Sequence, residues 1–202
     1  MTKIKICGLT RSCDIEAVNK YRPDYVGFVF AKSKRQITED GAAVLKSQLD
    51  SGILAVGVFV NEHIDHIAKM ANAGIIDVVQ LHGDESENYV KLLKSKTKAR
   101  IIRAVRVGEA VDLEIADATM ADFPLLDTYH KDAYGGTGMC FDWSYLKAAS
   151  RPYFLAGGIG CDNITEAKKT GAYCLDVSSG AETDGYKDAD KIAFLCQKAH
   201  EK

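Results

Sequence analysis

The chain has 202 residues, 47% hydrophobic and 27% charged, with 26 Lys and Arg against 28 Asp and Glu for a net charge of −2. That length buries enough surface for a core without disulfides or a structural metal, and the composition excludes a disordered, collagen-like or coiled-coil chain. The charge balance lacks the basic excess of a nucleic-acid binder, no run approaches the ~18 apolar residues of a membrane span, and Lys3 and Lys5 interrupt any signal-peptide core at the start.

Taken in chain order, β-branched runs alternate with amphipathic segments. A strand from Lys3 to Cys7 is followed by a helix from Thr10 to Tyr21, with Thr10 as its N-cap. The next strand runs from Tyr25 to Phe30, before a helix opening at Thr38. A third, from Leu54 to Val60, precedes a helix from Asn61 to Asn72 that carries Ile64, Ile67, Ala68 and Ala71 on one face. Strands then follow from Asp77 to Leu81, Arg100 to Val105, Phe123 to Asp127, Tyr153 to Ala156 and Cys174 to Ser178. Their helices open at Ser86, Glu109, Asp142, Asp162 and Asp188.

Eight βα units with no linker or composition shift predict one domain over residues 1–202 and a parallel sheet covered by helices. A doubly wound open sheet would carry a glycine fingerprint in its first βα turn, and Cys7-Gly8-Leu9-Thr10 is not G-x-G-x-x-G. The expected fold is therefore an α/β single-domain (β/α)8 barrel of the TIM type, whose chemistry sits at the C-terminal ends of the strands.

The residues at those ends are Cys7, then Lys32, Lys34 and Arg35 after the second strand, Gln80 and His82 on the fourth, Asp127 on the sixth, and Asp176 and Ser178 on the eighth. Cys7 shares its parity with Lys3 and Lys5, so a lumen-facing Cys7 brings both lysines inward, and a buried lysine needs a partner, expected to be a lumen carboxylate. Taken singly, each residue has a plain structural reading. Cys7 is a small buried hydrophobe, Asp127 a loop cap or lysine partner, and Arg35 a surface arginine. Together, Cys7 and Asp127 flank the lumen from non-neighbouring strands, as a base and an acid acting on one substrate must.

Gly157, Gly158 and Gly160 follow the seventh strand, and Ser178, Ser179 and Gly180 the eighth. Those two loops are where a barrel binds phosphate through backbone N–H groups and a helix N-terminus. Gly135-Gly136-Thr137-Gly138, beyond Asp127, is either a substrate-contacting turn or simply flexible. No metal set is expected: His63 and His66 lie at i, i+3 but have no visible third ligand. Gly180 and Gly185 have P-loop spacing, yet Tyr186-Lys187 follows in place of Lys and Ser or Thr. The six cysteines, 7, 13, 140, 161, 174 and 196, form no C-x-x-C pair and are read as free thiols in the cytoplasm.

Read as an ordered set, these blocks are recognisable. Lys5-Ile6-Cys7-Gly8-Leu9-Thr10, Val26-Gly27-Phe28-Val29-Phe30 with Ser33 and Arg35, Val56-Gly57-Val58-Phe59-Val60, Gln80-Leu81-His82-Gly83, Leu126-Asp127, Gly135-Gly136-Thr137-Gly138 before Phe141-Asp142-Trp143, Leu155-Ala156-Gly157-Gly158 and Asp176-Val177-Ser178-Ser179-Gly180 resemble the phosphoribosylanthranilate isomerase family.

The resemblance implies a cofactor-free Amadori rearrangement in tryptophan biosynthesis. Cys7 would be the general base, Asp127 the general acid and Arg35 the partner of the anthranilate carboxylate. The glycines and serines of the last two loops would hold the phosphate. Asp176 would meet the ribose hydroxyls, and Gln80 and His82 would line the aromatic ring's pocket. Two further expectations concern proton affinity: Lys5 is a candidate cation for lowering the Cys7 pKa, and Asp176 a candidate like charge for keeping Asp127 protonated.

The implied partner is a small phosphorylated substrate, with no nucleic acid and no membrane. Contact with neighbouring tryptophan-pathway enzymes is not readable from the residues. The alternatives are a catalytically silent sugar-phosphate-binding barrel and the sister histidine-pathway isomerase. The latter resembles a pair of aspartates where Cys7 and Asp127 stand here.

Overall fold

Eight short strands pair in parallel and close on themselves: β1 (Lys3–Cys7), β2 (Tyr25–Val29), β3 (Leu54–Phe59), β4 (Val78–Leu81), β5 (Arg100–Arg106), β6 (Phe123–Asp127), β7 (Phe154–Ala156) and β8 (Cys174–Val177). The structure is a computed structural model that describes residues 1–107, 112–127, 143, 146 and 149–201. Closure is direct, with Lys3 opposite Cys174 and Lys5 opposite Asp176 across the β1–β8 seam.

The helices among the described residues are α1 (Ser12–Tyr21), α2 (Glu39–Gln48), α3 (Ile64–Asn72), α4 (Glu87–Lys96), α5 (Asp112–Ala118), α6 (Ile164–Lys168) and α7 (Ala189–His200). Parallel neighbours require such crossovers, and the fold is a (β/α)8 barrel. The Gly135–Gly138 loop, Cys140 and the expected helix openings at Glu109 and Asp142 lie outside the described residues. Among the described residues no helix is long and apolar enough to cross a membrane.

Strand alternation decides what faces the lumen. In β1, Ile4 and Ile6 belong to one buried cluster with Ile15 and Val18 of α1 and Ile192 and Leu195 of α7. Lys5 and Cys7 point the other way. A second cluster, including Tyr25, Val56, Val78, Ile102, Leu125, Phe154 and Cys174, fills the lower lumen. Phe154 meets the rings of Tyr25 and Phe123 edge-on, at centroid distances of 5.4 and 5.6 Å. Two residues above Val78, Leu125 and Cys174 stand Gln80, Asp127 and Asp176. An apolar plug thus leaves the upper lumen to polar side chains.

At the opposite end one device recurs at alternate strands. Asp24, just before β2, accepts from the Ile4 amide at 3.0 Å, Asp77 before β4 accepts from Ala55 at 2.7 Å, and Asp122 before β6 accepts from Ile101 at 2.7 Å. Each carboxylate also meets a cation: Lys3 for Asp24, Lys46 for Asp77 and Lys94 for Asp122. Three entering strands are satisfied by the residue that precedes their neighbour.

Thr38, Ser86 and Asp188 cap their helices as expected, each side chain accepting from an amide of the first turn. Thr10 does not cap α1. Asp14 accepts from the Thr10 and Arg11 amides, both at 3.0 Å, so the helix begins at Ser12.

A feature absent from the sequence reading follows β8, where a hairpin of β9 (Glu182–Thr183) and β10 (Tyr186–Lys187) precedes α7. Its turn residues Asp184 and Gly185 have φ of 53° and 82°, the geometry for which Asp-Gly is favoured.

Candidate active site

The upper lumen is built around β1 and β8. Lys5 is fully buried, and its Nζ donates to Asp176 Oδ2 at 2.8 Å. The carboxylate that a lumen lysine demands is therefore Asp176, delivered by the register that sets the two residues opposite each other. One pleat higher, Cys7 stands opposite Gly27 of β2. A Cβ at Gly27 would lie 2.6 Å from Cys7 Sγ, so glycine makes the space the thiol occupies.

Burial pushes the Cys7 thiol above its ordinary value, and the Lys5 charge only partly offsets this. The expected lowering by Lys5 is present as a force, but desolvation outweighs it. Burial likewise opposes the Lys5 ammonium, yet Asp176 and Cys7 together hold its pKa above the usual range.

A second group runs from β4 to β6. Gln80 Nε2 donates to His82 Nδ1 at 3.0 Å, and His82 Nε2 lies 3.2 Å from Asp127 Oδ2. An amide nitrogen can only donate, so Nδ1 accepts. The neutral ring then carries its proton on Nε2 and gives it to the carboxylate. Gln80 and His82, expected as walls of a ring pocket, form a chain that reaches Asp127. Asp176 has Lys5 for a hydrogen-bond partner, and His82 stands beside Asp127.

Arg35 anchors a third group. Its Nε and Nη2 donate to Glu182 Oε1 and Oε2 at 2.6 and 2.8 Å, and Glu182 also binds Lys187. Lys187 Nζ reaches the Ser178 carbonyl at 3.2 Å, which joins the group to the loop after β8. Burial opposes the Glu182 charge, but the two cations win and its pKa falls to about 2. Burial lowers the Lys187 pKa, with Glu182 resisting. Neither Glu182 nor Lys187 was singled out as a site residue. The available signal was Asp184-Gly185, whose hairpin sets the two side by side as a cross-strand pair.

The loops after β7 and β8 touch. Gly160 and Gly180 form an isolated parallel bridge, and a Cβ on Gly180 would lie 2.6 Å from Gly160 Cα. Gly158, at φ 66°, has open space where a side chain would stand. Asn163 staples this turn, accepting from the Gly160 amide at 2.8 Å and donating to the Gly158 carbonyl at 2.9 Å. The Gly160 N–H thus has a partner within its own turn. A β9–β10 hairpin stands between β8 and the N-terminus of α7.

Two atoms of this region lack partners: Asp176 Oδ1 and Gln80 Oε1 are buried without a hydrogen bond. Buried acceptors are rarely left so, and both belong to residues expected to meet a ligand. Lys32 and Lys34 lie on the exposed surface of the loop after β2. Among the described residues no group of three or more His, Cys, Asp or Glu is placed to hold a metal. His66 faces Glu39 and Glu62 instead.

Comparison with known proteins agrees with this geometry. Residues 4–198 match the family model for N-(5'phosphoribosyl)anthranilate (PRA) isomerase. The chain is 51% identical over 193 residues to the N-(5'-phosphoribosyl)anthranilate isomerase of Endomicrobium trichonymphae, covering 95% of each. It superposes on the crystal structure of phosphoribosyl anthranilate isomerase from Thermotoga maritima with a TM-score of 0.87 and 35% identity, over 98% of both chains. A further such isomerase, solved in complex with reduced 1-(o-carboxyphenylamino)-1-deoxyribulose 5-phosphate, matches with a TM-score of 0.84 and 32% identity over 98% of both. A thiol on β1, a carboxylate on β6 and paired glycine loops after β7 and β8 thus sit in a barrel aligned with these enzymes almost end to end, and the chain belongs to the N-(5'-phosphoribosyl)anthranilate isomerase family.

Proposed function

We propose that the chain, as one (β/α)8 domain over residues 1–202, converts N-(5-phosphoribosyl)anthranilate to 1-(2-carboxyphenylamino)-1-deoxyribulose 5-phosphate, with Cys7 as general base and Asp127 as general acid. The observation that carries this reading is the placement of Cys7 and Asp127 at the tops of β1 and β6 of a closed barrel, in a chain of this family.

The chemistry needs one proton given and one taken. Asp127 protonates the ribose ring oxygen, the ring opens to a Schiff base, and Cys7 removes the C2 proton. The resulting enolamine tautomerises to the ketone. His82 donates to Asp127 Oδ2 and turns the carboxyl group; Gln80 fixes the ring that does so. Asp176 Oδ1, buried and unpaired, is the acceptor offered to a ribose hydroxyl.

Phosphate is held at the junction of the two glycine loops, by the backbone of Gly157 and Gly158 on one side and Ser178, Ser179 and Gly180 on the other. The partner is a small phosphorylated molecule rather than nucleic acid or a membrane. The working compartment is the cytoplasm, in keeping with the free thiols of Cys7, Cys13, Cys161, Cys174 and Cys196.

The test is turnover. Phosphoribosylanthranilate is generated from anthranilate and phosphoribosyl pyrophosphate by the preceding enzyme, and its fluorescence is followed after this protein is added with no metal or cofactor. Rapid loss of fluorescence is expected. A folded protein that leaves the signal unchanged is a silent barrel, and the reading fails.

The phosphate site has its own prediction. Gly180→Ala places a methyl group against backbone on the facing loop, where no flexible side chain can yield. The loops must part. KM is expected to rise at least tenfold, with a parallel weakening of inhibition by inorganic phosphate. An unchanged inhibition constant would remove phosphate from this junction.

A further inference from the structure

We propose that Glu182 is a positioning residue that selects a substrate bearing a carboxylate beside its reacting amine, by presenting one edge of Arg35. The proposal deepens the isomerase reading and rests on it.

Arg35 is held at both ends. Its stem lies flat on Gly8, the residue after Cys7, so closely that a Cβ there would overlap Arg35 Cδ and stand 3.2 Å from Cγ. Gly8 has φ of 87°, which leaves its face bare for the stem. At the head, Glu182 takes the Nε–Nη2 edge in a two-bond fork at 2.6 and 2.8 Å. A planar guanidinium held along one edge has its other edge, Nη1–Nη2, aimed in a fixed direction.

Exposure shows which member meets the ligand. The Arg35 side chain is 32% exposed, Glu182 8% and Lys187 1%. Glu182 is therefore no rival anion waiting at the surface; it is a buried backstop. It is locked from behind by Lys187, and its carbonyl accepts from Lys191 Nζ at 2.5 Å.

The charge count points the same way. A lone Arg–Glu pair would be neutral and offer an arriving carboxylate little attraction. Lys187 restores a net charge of +1 to the trio, and Arg35 is the member that solvent reaches. Glu182 thus orients the guanidinium while the second cation keeps the cluster attractive to an anion.

Steady-state kinetics on two substrates test this. N-(5-phosphoribosyl)anthranilate carries the carboxylate, and N-(5-phosphoribosyl)aniline, prepared from aniline and ribose 5-phosphate, lacks it. In Glu182→Gln, KM for the anthranilate substrate is expected to rise at least tenfold with kcat within threefold of wild type. The kcat/KM for the aniline substrate should change less than threefold. Should the single variant fail to fold around an unpaired Lys187, the double variant Glu182→Gln/Lys187→Met removes both charges and is expected to show the same selective loss. Equal losses on both substrates would assign Glu182 a structural role and overturn the proposal. A lower KM for the anthranilate substrate would mean that Glu182 competes with the ligand, and would overturn it too. A folded wild type that turns over neither substrate sinks the isomerase reading first, and this proposal with it.

Discussion

Asp127→Asn and Cys7→Ala are each expected to reduce kcat/KM by roughly 10²–10⁴-fold, the usual contribution of a single acid or base. Asn is isosteric with Asp and still accepts from His82 at the position of Oδ2, so the local structure survives while the transferable proton is lost. Ala at residue 7 removes one buried sulfur beside Gly27 and leaves β1 paired on both sides.

The pH profile separates the two roles. Burial raises the Cys7 pKa above that of a free thiol, so the thiolate is a minor species at neutral pH and grows as pH rises. In Asp127→Asn the acid no longer titrates, so its residual rate should climb with pH through the neutral and alkaline range, towards that raised value. The climb is assigned to Cys7 and should be absent from the residual rate of Cys7→Ala. An unchanged climb in Cys7→Ala would move the base to another residue.

Local hydrogen bonds explain which features could be read from residues. Thr38, Ser86 and Asp188 cap helices through contacts three residues away or fewer, so a short window contains both partners. Period alone sets Lys5 and Cys7 on one face of β1, and the strand-end position of Cys7 makes that face the lumen. The helix expected from Asn61 starts later for a tertiary reason. Asn61 takes φ of 51° because its amide donates to Glu85 at 2.7 Å and its side-chain oxygen accepts from the Asp84 amide at 2.9 Å. The helix consequently begins at Ile64.

The site divides similarly. Strand-end positions marked Cys7, Asp127 and Asp176, because a barrel puts strand ends in one place. The partner of each was hidden. Arg35 and Glu182 are 147 residues apart, and the two-residue strands that carry Glu182 and Lys187 are too short to show alternation. An Asp precedes each of β2, β4 and β6. Its purpose, an acceptor for the neighbouring strand's amide, needs the register.

Lys5→Met is expected to destabilise the protein by about 3–5 kcal/mol, the scale on which removing one partner strands a buried charge. Lys5 is fully buried and Asp176 nearly so, at 2.8 Å. Met fills the volume of the lysine stem, so the loss reports charge rather than packing.

The sign with pH follows from Lys5, whose folded pKa is raised. Its contribution is fully present below the unfolded value of about 10.4 and fades only as pH climbs towards the folded one. Urea unfolding at neutral pH should therefore show the whole deficit. The double variant Lys5→Met/Asp176→Leu should recover most of it, because a buried ion pair replaced by apolar groups of similar volume is often neutral or better. The coupling energy from that cycle measures the pair directly.

Stability and activity should then part. The double variant is expected to fold well yet turn over poorly, having lost both the cation beside Cys7 and the buried acceptor for a ribose hydroxyl. Apolar residues are expected to hold the β1–β8 seam as firmly, so that outcome would assign the ion pair to chemistry rather than to the fold. A double variant that regained stability with full activity would show instead that the pair serves only the fold.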